Sequence, residues 1–123
     1  MATNNYRQRM GAWGELQAEN YLLARGLVLL ERNFRTRYGE IDLVMQHEDQ
    51  LVFVEVKTRS NVKFGQPEQS VTPLKQEHLL LAAQQYLVDH QDTSDNWRVD
   101  VVAIVGRPGV TPPEILWFEN ALA

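Results

Sequence analysis

The sequence predicts a mixed α/β domain, a central sheet flanked by helices in the order αβββαββ. Three observations carry this reading. Short runs rich in Val, Ile, Leu and Phe, bounded by turn residues, recur through the chain. Two longer stretches place apolar residues at helical intervals instead. One of these helices lies between two strand-like runs, the order of a right-handed parallel crossover, whereas the three strands before it are expected to be antiparallel.

The first helix runs from about Asn5 to Arg25 and ends at Gly26, which suits a left-handed cap. Gly11, Gly14, Ala18 and Leu22 share one of its faces. Glycine weakens a helix, so two of them in one stripe point to close packing against something flat. Leu27–Arg35, Gly39–Gln46 and Leu51–Thr58 are the next three strands. Thr72 followed by Pro73 is a cap and first-turn pair opening a helix to about Asp89, with Leu79, Ala82, Ala83, Tyr86 and Leu87 in its apolar stripe. Trp97–Val105 is a strand, Gly106–Pro113 a Gly/Pro loop and Glu114–Phe118 a last short strand.

Residues 1–123, 44% hydrophobic and 23% charged, are expected to form a single domain around one modest core. The absence of cysteine excludes disulfides, thiolate catalysis and zinc-thiolate sites. No apolar run approaches the ~20 residues of a membrane span, and the first nine residues lack the apolar stretch of a signal peptide. A cytoplasmic protein without a membrane partner is therefore expected. The three histidines show no ligand spacing, and no serine stands in a nucleophile-elbow context.

Net charge is −4, the wrong sign for binding nucleic acid by bulk electrostatics. The first 63 residues carry nine Lys/Arg against eight Asp/Glu, the remainder three against eight. Six of the bases fall in two clusters: Arg32, Arg35 and Arg37, then Lys57, Arg59 and Lys63. They are either solvated strand ends or contacts to phosphates. In the long stretch from Arg59 to Val71, Arg59, Lys63 and Phe64 are candidates to grip a nucleic-acid backbone and stack on a base.

Chemistry concentrates in Gly39–Thr58. If His47, Glu48, Asp49 and Gln50 form the turn, or the tighter Glu48-Asp49 with the same register, one face of the hairpin carries Ile41, Leu43, Met45, Val52, Val54 and Val56 and must be core. The other face then sets Asp42 opposite Glu55 and Glu40 opposite Lys57. The second pairing reads as an ordinary ion pair. The first places two carboxylates about 5 Å apart, unfavourable unless they share a proton or a cation, or water screens them. With no thiol and no paired histidines, a hard divalent ion, Mg2+ or Mn2+, fits this pair. Lys57 adds a positive charge where a phosphate or attacking water would lie.

Asp42, twelve intervening residues, then Glu55-Val56-Lys57 resembles the metal-binding core of the PD-(D/E)XK nuclease superfamily. Gly14-Glu15, Arg32-Asn33-Phe34-Arg35, Gly39-Glu40-Ile41-Asp42-Leu43, Phe53 through Arg59, Lys75, Asp100 through Ile104 and Asn120-Ala121 extend the match. Together they resemble the small bacterial YraN-like family, akin to Holliday-junction resolvases, over nearly the whole chain. Ile41 stands where the superfamily name has proline. The resemblance implies a restriction-endonuclease-like fold. It implies Asp42 and Glu55 as metal ligands with the Val56 carbonyl as a third, and Lys57 as the group that orients or activates water. It further implies Glu15 as a second-metal or outer carboxylate, with Lys75 among the nucleic-acid contacts.

The expected function is a divalent-metal-dependent endonuclease hydrolysing phosphodiester bonds in DNA, including branched or junction DNA, with DNA favoured over RNA. Alternatives are a nucleic-acid-binding or adaptor module with little turnover, and an RNA-processing nuclease. Junction resolution would call for a homodimer, for which Ile115–Phe118 offers an edge strand.

Overall fold

The computed structural model describes residues 5–60, 71–91, 95–110 and 112–122. Lys63 and Phe64 lie outside them. The elements are α1 (Asn5–Leu23), β1 (Val28–Thr36), β2 (Gly39–His47), β3 (Gln50–Arg59), α2 (Pro73–Asp89), β4 (Trp97–Val105) and β5 (Glu114–Phe118). The strands form one sheet in the order β1-β2-β3-β4-β5. All neighbours are antiparallel except β3 and β4, which run parallel across the α2 crossover.

Local chemistry fixes the helix ends. Gly26, at φ +96°, closes α1: its N–H donates to Leu23 O and that of Leu27 to Leu22 O, the paired bonds of a glycine C-cap. Thr72 caps α2, its hydroxyl accepting from Lys75 N at 3.2 Å, with Pro73 in the first turn. Gly14 is buried, and a Cβ there would collide with Thr58 Oγ1, so α1 lies hard against β3 at this point. Gly11 does not share the contact; a Cβ there would meet open space.

The sheet is covered on both faces. Leu43, Met45, Val52 and Val54 pack with Val102 and Ile104 against Ala18 and Leu22 of α1. Val44, Leu51 and Phe53 pack with Val99 against Ala82, Ala83 and Tyr86 of α2. The expected hairpin register is found, from His47↔Gln50 around the two-residue turn to Leu43↔Val54.

Ile41 departs from it. An undisturbed strand would put Ile41 on the face of Leu43, yet it packs with Phe34 and Val44 in the α2 cluster. The cause lies beside it. Asn33 of β1 takes a left-handed φ of +52°, and Arg32↔Leu43 and Phe34↔Ile41 flank it with their partners on opposite faces. The Asp42 carboxylate accepts from Val56 N at 2.7 Å, so this side chain lies along the ladder direction instead of on either face.

At the far edge, Asp100 is fully buried and every lone-pair direction is used. Arg98 Nε donates to it at 3.0 Å, Trp117 Nε1 at 2.8 Å and the Asn120 backbone N–H at 2.9 Å. One carboxylate thereby ties β4, β5 and the following turn together. Among the described residues, no helix is long and apolar enough to cross a membrane.

Candidate active site

The regular β2–β3 ladder stops at Leu43↔Val54. Beyond that pair the strands are joined through a side chain, Asp42, and the fork collects polar groups from five elements. Asp42 and Glu40 come from β2, Glu55 and Lys57 from β3, Asn33 from β1, Glu15 from α1 and Lys75 from the first turn of α2. One carboxylate oxygen each of Glu15, Glu40 and Asp42 lies within 4.8 Å of the others. Asn33 holds two of these acids together: its single amide group donates to Glu15 Oε1 and to Glu40 Oε1, both at 3.0 Å. Glu55 is 5% exposed, and its Oε2 meets Lys57 Nζ at 3.2 Å and Lys75 Nζ at 3.3 Å.

These placements dictate the charge states. Burial, then the repulsion of Glu55 and a hydrogen bond to it, pushes the Asp42 carboxyl up to about 9. The Val56 N–H opposes this without overcoming it. Glu15 is also raised, by burial and by the charges of Glu40 and Glu55, against the favourable Asn33 bond. Lys57 is lowered by burial and by neighbouring Lys75, with Glu55 opposing. Lys75 is raised: burial works against its charge, but contact with Lys57 and the Glu55 carboxylate outweigh it. The two lysines are thus shifted in opposite directions around one carboxylate.

The residues read from sequence as Glu15, Asp42, Glu55 and Lys57 meet at this fork. The ion pair expected between Glu40 and Lys57 does not form. With Asp42 bridging the strands, Lys57 turns to Glu55, and Glu40 pairs with Arg35 at 3.0 Å across β1–β2. Lys75, expected among the nucleic-acid contacts, stands beside Glu55 in the fork. The first basic cluster is engaged within the chain: Arg32 grips buried Glu19 through two bonds of 2.7 and 2.8 Å, and Arg37 donates to the Tyr38 hydroxyl at 2.7 Å. Arg59 is exposed at the end of β3.

Glu40, read from sequence as an ordinary ion-pair partner, and Asn33, named only within a motif, were not read as site residues. The available signal for Asn33 was an asparagine amid strand residues, a type that tolerates left-handed backbone. For Glu40 it was the alternation that puts it beside Asp42. A cleft of about 270 Å³ opens next to the fork, lined by Glu40, Glu55, Lys75, Tyr38 and His78.

Comparison with known proteins gives a consistent result. The family model described as an uncharacterised protein family, UPF0102, matches residues 14–104, which include every residue of the fork. A UPF0102 protein of Methylococcus capsulatus is 44% identical over 120 residues, covering 98% of this chain and 95% of that protein. One from Syntrophomonas wolfei is 47% identical over 102 residues, 83% of this chain and 89% of the relative. One from Clostridioides difficile is 42% identical over 94 residues, 76% and 82% of the two chains.

Proposed function

The chain belongs to the family UPF0102, the YraN family, and from its own side chains we propose that it is a divalent-metal-dependent endonuclease acting on DNA. The observation that carries this reading is geometric: Asp42 sits against buried Glu55, with one carboxylate oxygen each of Glu15, Glu40 and Asp42 within 4.8 Å of the others, and this crowding raises the Asp42 carboxyl so that it keeps its proton. A cation in the fork would remove the need for that proton. The donors are all oxygen, which suits Mg2+ or Mn2+ and not a soft metal. Asp42 and Glu55 would hold the ion, with Glu15 and Glu40 at its margin. In an extended strand one residue's N–H and C=O point to the same neighbour. The Val56 N–H reaches Asp42, so its carbonyl faces the same fork and can add a ligand. When bound, the ion would polarise a phosphoryl oxygen and acidify a bound water.

The protein groups supply the remainder. Lys57, held by Glu55 at 3.2 Å, orients the attacking water as its oxygen bonds to phosphorus and the bond to the leaving oxygen breaks, the water's proton passing to solvent and the leaving oxygen taking one from it. Lys75 stays charged and donates to the phosphate. Glu55 keeps both lysines in place through their contacts to one oxygen.

The test is incubation with labelled duplex, junction, flap and RNA substrates, with and without Mn2+. Metal-dependent cleavage of DNA is expected, abolished in Asp42→Asn, Glu55→Gln and Lys57→Ala protein that keeps its far-UV spectrum. Cleavage surviving in Asp42→Asn would place the chemistry elsewhere. Binding without cleavage on any substrate would make the chain an adaptor module.

A further inference from the structure

Two surface clefts adjoin on the side of α1 and share Tyr6 and Met10. The nearer, of about 570 Å³, runs from Lys57 and Arg59 to Arg7; the farther, of about 530 Å³, continues to Arg9 and Arg107. No acidic residue lines either, although the chain has sixteen acids against twelve bases. Their cations differ from those of the first basic cluster. Among the described residues Arg7, Arg9, Arg59 and Arg107 form no ion pair, whereas Arg32 and Arg35 of that cluster, and likewise Arg98 of β4, are held by Glu19, Glu40 and Asp100. Between the cations lies apolar surface open to water. Tyr6 is 58% and Val110 69% exposed, and Met10 and Trp13 line the same cleft.

We propose that this groove takes a single, unpaired nucleic-acid strand leaving the fork, with its phosphates on the arginines and a base against Tyr6. The inference rests on the nuclease reading only in assigning Lys57 as the end of the track nearest the scissile bond. A continuous duplex presents phosphates to cations but keeps its base faces stacked inside, so it would leave the Tyr6 and Val110 surface uncovered. An unpaired strand offers both, phosphates for the cations and a π-face for the ring. The substrate class that follows is a boundary between duplex and single strand, such as a flap or a tailed end.

The experiment is fluorescence anisotropy of the full chain in EDTA, where cleavage cannot interfere. The probes are a blunt duplex and the same duplex with a ten-nucleotide tail. Wild type should bind the tailed probe roughly 10-fold more tightly, within the range base–aromatic stacking supplies. Tyr6→Ala should remove most of that preference and leave the blunt affinity unchanged, while Tyr6→Phe, which keeps the ring, should retain it. Arg9→Ala and Arg107→Ala should each reduce the salt slope of tail binding by about 0.7. Val110→Asp, in the same cleft but outside α1, should act like Tyr6→Ala and decides the matter if the latter disturbs α1. Equal affinity for both probes, or preference surviving in both wall variants, overturns the proposal. So does poly-glutamate binding with the same dependence on Tyr6, which would make the groove a protein-docking surface. None of these outcomes bears on whether Asp42→Asn abolishes cleavage, so the groove and the nuclease reading fail separately.

Discussion

Burial and Glu55 raise the Asp42 carboxyl to about 9 in the metal-free fold, whereas it ionises above about pH 4 in the unfolded chain. Between that value and about 9 the folded protein binds the extra proton, so stability is highest below the window and falls as pH rises through it. The loss should amount to a few kcal/mol on the order-of-magnitude scale of linked ionisation. Asp42→Asn keeps an acceptor for the Val56 N–H and has nothing to ionise. In EDTA its urea midpoint should change less between pH 5 and pH 8 and exceed wild type at the upper end; parallel curves would refute the assignment. Adding Mn2+ at constant ionic strength and pH 8 should raise the wild-type melting temperature by several degrees and leave Asp42→Asn nearly still. Equal shifts would mean the ion only screens surface charge. That Asp42 and Glu55 come together was legible because the hairpin register is set by its turn, although Asp42 itself leaves the face that alternation assigns it. Asn33 was not, since its role depends on a left-handed φ that no spacing reveals.

At the level of elements, every helix and strand was legible to within a residue or two, because caps and turns mark their ends locally. The side occupied by Ile41 was misread for a physical reason: the alternation rule assumes an undisturbed ladder, and Asp42 takes a backbone partner of its own. The α1–β3 contact makes a separate test. In Gly14→Ala the new methyl meets Thr58 Oγ1, and α1 must retreat, carrying Glu15 away from the fork. The cost should be about 1–3 kcal/mol, typical of overpacking. Thr58→Ala removes the clashing oxygen, so the double variant should be markedly more stable than the two single losses added together. Strict additivity in denaturant melts would show that the two residues do not touch.

For the molecule as a whole, cations divide into those spent internally and those left facing water. Charge counting along the chain located basic clusters but could not say which were already partnered, because Glu19 is thirteen residues from Arg32 and meets it only through the packing of α1 on the sheet. Arg32→Ala should therefore lower the melting temperature, by leaving buried Glu19 alone, and leave the salt dependence of nucleic-acid binding unchanged. A reduced salt slope would return Arg32 to the binding surface.

The sequential strand order has a kinetic consequence. β1, β2 and β3 are joined by two-residue turns and pair with near neighbours, whereas the β3–β4 pair must close across α2. Short-range contacts form at low entropic cost, so the three-stranded meander is the natural folding nucleus. That nucleus already holds Glu40, Asp42 and Glu55, and the cost of burying and protonating Asp42 beside the other acids is met on the way to the transition state. Relieving it should then accelerate folding more than it slows unfolding. In stopped-flow experiments at pH 8 without metal, Asp42→Asn should fold faster than wild type with a nearly unchanged unfolding arm. An effect confined to unfolding would move the nucleus to the crossover instead.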